Sequence, residues 1–145
     1  MLTFFMAMIV PVVVSATVLF AWVFGSRVER IGGTIFAVNV AANFLLSGAF
    51  GQGPLVVMAC DLAAAIAFGV LAVRAPDKLW PGIAGVGQTL VVMFSATRLL
   101  DYPLSAGAYS IAVNLAGITV ELALVAGTCR ARWGSKPAQD AAVYA

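Results

Sequence analysis

The sequence predicts an all-α fold: a polytopic membrane protein built as a bundle of about five transmembrane helices. Three observations predict it. The 145 residues are 63% hydrophobic and only 10% charged, where a soluble domain carries about 25% charged residues. The apolar residues fall into five runs of roughly the length that crosses a hydrocarbon core, about 20 residues. The short segments between the runs hold most of the charge and the turn chemistry. One small water-soluble core could not hide this much apolar surface. The runs are continuously apolar rather than alternating, which points to helices and not barrel strands.

The expected spans cover about residues 2–24, 31–50, 54–73, 79–97 and 105–128. Together they form one transmembrane domain over residues 1–133. The first run has no basic leader segment and is longer than a signal core, so it reads as a retained span. Pro11 falls inside it and should kink that helix. Ser26-Arg27-Val28-Glu29-Arg30 reads as the first connection. Gly51 and Gly53 permit a tight reversal and Pro54 opens the third run, where a missing N–H costs little. The second and third helices should therefore form an antiparallel hairpin. Pro76 and Pro81 bracket Trp80 in the third connection, and Trp80, Tyr102 and Trp133 suit the membrane–water interface. After Trp133 the composition turns polar, and residues 134–145 read as a flexible cytoplasmic tail.

Orientation follows from the placement of basic side chains in short loops. With five spans, the first loop, the third loop and the tail share one side. That side holds Arg27, Arg30, Arg74, Lys78, Arg130, Arg132 and Lys136, and the other holds Arg98 alone. The bias puts the N-terminus outside and the C-terminus in the cytoplasm. A net charge of +2 with no basic cluster interleaved with aromatics gives no sign of nucleic-acid binding.

Functional content is confined to polar residues within the apolar runs. Asp61 and Glu121 each lie about seven residues into a span. A charge at the bilayer centre costs roughly 2.5–3.5 kcal/mol on insertion scales, so each acid should face protein, be paired or be protonated. At about 1.5 Å per residue, Asn43 and Asp61 share a depth near the outer side, within reach of Arg98. Gln88 and Glu121 share a depth near the inner side, with Asn39 slightly deeper. Asn39 and Asn43 are one turn apart on one face, and Asn114 and Glu121 are two turns apart with Gly117 between. The expectation is a polar interior with an outer cluster of Asn43, Asp61 and Arg98 and an inner cluster of Asn39, Gln88 and Glu121. The same residues could instead be interhelical glue, worth often only about 0.6 kcal/mol per hydrogen bond.

Other signals are bland. Ala108, Ala112 and Ala116, and Gly82, Gly85 and Gly87, are small-residue patterns that read first as helix packing. Cys60 and Cys129 lie at different depths, which disfavours a disulfide. The chain has no histidine and no CxxC pair, so zinc, haem and His-based catalytic sites are not expected. No Walker loop, GxSxG elbow or HExxH motif occurs. No catalytic residue, metal site or cofactor is expected.

Asp61, then Leu71-Ala72-Val73-Arg74-Ala75-Pro76-Asp77-Lys78-Leu79-Trp80-Pro81, then Gly85 and Gln88, resemble a group of small uncharacterised polytopic membrane proteins of alphaproteobacteria. In that group a short polar loop with an aromatic-Trp-Pro element leads into a helix containing Gly and Gln. Here Leu79 replaces the aromatic, and a histidine often found later in the helix is missing. The resemblance implies a bacterial inner membrane and no particular activity. The expected role is an accessory or structural subunit that packs in the lipid bilayer with other membrane proteins or with itself. The alternative is a small proton- or cation-coupled transporter or channel component using the two acids. A lipid-acting enzyme lacks a nucleophile–base pair.

Overall fold

The computed structural model describes residues 2–46, 54–100 and 105–134. Those residues form five helices: α1 Leu2–Phe24, α2 Arg27–Phe44, α3 Pro54–Arg74, α4 Trp80–Leu99 and α5 Ala106–Trp133. The all-α bundle is as the sequence predicts. The reversal at Gly51–Gly53, Tyr102 and the tail from residue 135 lie outside the described residues.

Helix ends follow local chemistry. α1 continues across Pro11. α2 starts four residues earlier than the apolar run. Ser26 caps it and Glu29 reaches back to the Ser26 backbone N–H at 2.9 Å, a capping box. Arg27, Glu29 and Arg30 are therefore helical, not a connection. Pro54 is the first residue of α3. α4 carries Pro81 in its first turn. Ser105 Oγ accepts the Ala108 N–H at 3.2 Å and caps α5, which continues past the apolar run to Trp133.

Three segments are long and apolar enough to cross a membrane: Leu55–Arg74, Trp80–Leu99 and Gly107–Trp133. Pro11–Phe24 is a shorter apolar helical stretch. α2 falls short because its first turn carries three charges. Among the described residues, three helices thus meet the requirement by length and apolarity, where five spans are expected.

The heaviest packing is of α4 on its two neighbours, α3 and α5. α1 and α2 close the ring, α1 lying against α5 and α2 against α3. All five helices supply the core: Val14 and Ala21, Phe36, Phe68 and Leu71, Trp80 and Ala84, and Val120, Ala123 and Leu124. Lipid tails are as apolar as these side chains, so close packing rather than water exclusion must hold the helices together. Glycines allow the approach. A Cβ on Gly87 would fall 3.2 Å from the Ala116 carbonyl oxygen and 3.1 Å from Val120. One on Gly85 would touch Phe68 and Gly69. The packing reading of the small residues thus holds at Gly85, Gly87 and Ala116, inside the bundle. Gly82 faces open space.

The α1–α2 connection, the α3–α4 connection and the C-terminal end of α5 meet at one end of the bundle. Lys78 Nζ lies 2.8 Å from Ser26 Oγ, and Glu29, Asp77, Lys78, Arg130 and Gly134 line one cavity. Among the described residues, this end collects Arg27, Arg30, Arg74, Lys78, Arg130 and Arg132, which the loop pattern assigns to one side; Lys136 lies outside them. Arg98 stands at the last turn of α4, at the opposite end.

Candidate functional site

Two polar clusters sit inside the bundle. The first is centred on Asp61 of α3, which is 3% exposed. Its Oδ1 accepts three side-chain amide N–H groups: Asn39 Nδ2 at 3.1 Å, Asn43 Nδ2 at 2.7 Å and Gln88 Nε2 at 2.9 Å. Asn39 and Asn43 reach it together because they are one helical turn apart on α2. Gln88 arrives from α4, so three helices are tied through one carboxyl oxygen. Asn39 and Gln88 are themselves buried. The Asn39 carbonyl oxygen is buried with no hydrogen-bond partner among the described residues.

This cluster joins residues that depth counting assigns to two groups. Asn39 and Gln88 belong with Asp61, not with Glu121. Arg98 does not reach Asp61. Its guanidinium lies 4.9 Å from the centre of the Tyr109 ring on α5, and Tyr109 shares a hydrogen bond with Ser95 at 3.3 Å. Such a cation–π contact is worth about 0.5–1 kcal/mol at an exposed site.

Asn114 and Glu121 enter neither cluster. Asn114 is exposed, Glu121 is half-buried, and a Cβ on the intervening Gly117 would meet open space. Among the described residues neither side chain has a hydrogen-bond or ion-pair partner. The expected inner cluster of Asn39, Gln88 and Glu121 therefore does not form. The polar face of α5 turns outward.

The second cluster is one the apolar runs do not announce. Glu29 is fully buried. Its Oε1 accepts Lys78 Nζ at 2.7 Å and the Trp80 indole N–H at 3.0 Å. Its Oε2 accepts the Ser26 backbone N–H and hydroxyl. The sequence signal was available in Ser26-x-x-Glu29, which marks a helix start. Trp80, expected at the interface, is buried in the core. Its indole is pressed between two glycine faces. A Cβ on Gly32 of α2 would fall 2.9 Å from Trp80 Cζ3, and one on Gly127 of α5 would fall 2.7 Å from Trp80 Nε1. Phe68 of α3 meets the ring edge-on at 6.4 Å.

Burial pushes the Glu29 carboxyl up. The Lys78 ammonium, the Ser26 hydroxyl, the Trp80 N–H and its own backbone N–H outweigh that and hold it below the ordinary carboxylate range. A depressed folded-state value means the stabilisation is complete above the unfolded value, about pH 4.3. It is lost as pH falls through the folded value. The thermal midpoint in detergent should hold from pH 7 to about pH 5 and drop below about pH 4.3. Glu29→Gln should lower the midpoint at pH 7 by the equivalent of roughly 2–3 kcal/mol, below the roughly 3–5 kcal/mol of a fully buried pair because Lys78 is 22% exposed. It should also flatten the acid limb. An unchanged acid limb in Glu29→Gln would show that other carboxyls set it.

No family model, curated protein or solved structure matches this chain.

Proposed function

We propose that the chain is a multi-pass inner-membrane protein of a bacterium, a structural or accessory subunit that packs with other membrane proteins. The supporting observation is the contrast between its two intramembrane acids. Asp61 is closed in by three amides from its own chain. Glu121 lies on a face of α5 that the described residues leave without a polar partner. A carboxyl against hydrocarbon is costly, and a helix from another subunit offering a hydrogen-bond donor would satisfy it. The α1 and α2 segments complete five spans in this reading, with the N-terminus outside and the basic end of the bundle in the cytoplasm.

Purification in mild detergent with native mass spectrometry tests this. The expected result is an assembly larger than the monomer, of defined composition, that Glu121→Leu dissociates while Asn114→Leu weakens it. A wild-type chain that is monomeric throughout counts against the subunit reading.

One observation favours a second reading, a proton- or cation-coupled transport component. The unpartnered carbonyl oxygen of Asn39 belongs to a side chain bonded to Asp61. A carboxylate and an amide oxygen are hard ligands suited to a small cation.

A further inference from the structure

At the basic end of the bundle a cavity of about 530 Å³ opens between the start of α4 and the last turns of α5. Its size falls within the roughly 300–1,000 Å³ of small-molecule sites. The lining combines two chemistries. Leu79, Ile83 and Gly127 supply an apolar wall. Leu79 and Ile83 are also exposed on the outside of the bundle, so the wall runs out toward lipid. Glu29, Lys78, Asp77 and Arg130 supply the charge, two of each sign.

Those four are not equivalent. Glu29 and Lys78 pair with each other, and Trp80 and Ser26 complete the Glu29 carboxyl. Asp77 and Arg130 are both exposed. Neither side chain is hydrogen-bonded or ion-paired among the described residues, and they are not paired with each other. The cavity therefore presents one available guanidinium and one available carboxylate, balanced in charge, over a rigid indole floor. Arg130 can grip a phosphate in two places. Asp77 can accept hydrogen bonds from a primary ammonium.

We infer that this cavity binds the headgroup of a zwitterionic phospholipid of the phosphoethanolamine class. The phosphate would sit on Arg130, the ammonium on Asp77 and the acyl chains along Leu79 and Ile83. The anionic phosphatidylglycerol headgroup would satisfy Arg130 but offer Asp77 only neutral hydroxyl donors, without the charge of an ammonium. A trimethylated headgroup carries the positive charge without N–H donors.

The inference rests on membrane residence, not on a partner at Glu121. The test uses the full chain in neutral detergent, titrated with short-chain phosphatidylethanolamine, phosphatidylcholine and phosphatidylglycerol, and with soluble glycerophosphoethanolamine. Binding is read by native mass spectrometry. Phosphatidylethanolamine should bind about tenfold more tightly than the other lipids and the soluble headgroup. Asp77→Asn should remove that preference and spare phosphatidylglycerol binding, while Arg130→Gln should weaken every phospholipid. Both substitutions are at exposed positions, and an unchanged thermal midpoint confirms that they fold. Phosphatidylglycerol bound as tightly as phosphatidylethanolamine, or an Asp77→Asn variant that keeps the preference, overturns the inference. Equal binding of the soluble headgroup overturns the lipid assignment. None of these outcomes touches the assembly at Glu121, which Glu121→Leu tests separately. A chain that carbonate extracts from the membrane would overturn both.

Discussion

Gly127→Val should be among the most damaging single substitutions in the chain, lowering stability by about 3 kcal/mol or more. Overpacking a filled core costs typically 1–3 kcal/mol because neighbours can shift. Here the neighbour cannot shift. The Trp80 indole fills the space against Gly127, and its far edge fills the space against Gly32. Its N–H is committed to Glu29 and its ring edge to Phe68. A side chain at Gly127 pushes the ring toward a second backbone and pulls it off a buried carboxylate that also holds Lys78. Thermal unfolding in detergent measures the loss. Gly127→Val combined with Trp80→Leu should be closer to wild type than the sum of the two single changes, a coupling of about 1–3 kcal/mol for residues in contact. Strict additivity would mean that the ring is not what Gly127 accommodates.

That wedge also explains which parts of the bundle were legible in the sequence. Apolar continuity and short connections delivered five helices, because lipid leaves the backbone no other way to satisfy its N–H and C=O groups. The Asn39–Asn43 spacing and the hairpin were enough to bring Asn43 to Asp61. Depth counted from level helix ends pairs Gln88 with Glu121, and it fails because it requires all helices to begin level. They do not. Trp80 starts α4 beside Glu29 and Gly32, inside the bundle. From there Gln88 is eight residues on, about 12 Å, and Asn39 is ten residues beyond Glu29 on α2, about 15 Å. Those lengths meet at Asp61. What sank the start of α4 was a tryptophan read as an interfacial anchor. An indole suits either place, and only the two glycines on other helices decide between them. Arg98 departs from the expected outer cluster for the converse reason: a long cation reaches many neighbours, and the one it meets is Tyr109.

Asp61→Leu should cost roughly 2–4 kcal/mol, whereas Asp61→Asn should cost under about 1.5 kcal/mol. The leucine leaves the amides of Asn39, Asn43 and Gln88 without their shared acceptor. Each buried donor left unmade costs about 1–3 kcal/mol in a protein interior. The sum is smaller in a bundle where polar groups find other partners in the membrane. Asparagine can keep a carbonyl oxygen in the Oδ1 position, with two lone pairs to offer the three donors. Removing the charge while keeping the acceptor therefore separates glue from machinery. If Asp61 is a tie between α2, α3 and α4, Asp61→Asn retains the thermal midpoint and the assembly that Glu121→Leu dissolves. If the carboxyl and the Asn39 oxygen take up a proton or cation, Asp61→Asn leaves the fold intact and abolishes ion-dependent stabilisation in a titration of purified protein with sodium, potassium or acid. Three amide donors from α2 and α4 already occupy Oδ1 of the carboxyl. The structural outcome is the one expected, and under the proposed subunit reading the partner is then to be sought at the open face of α5.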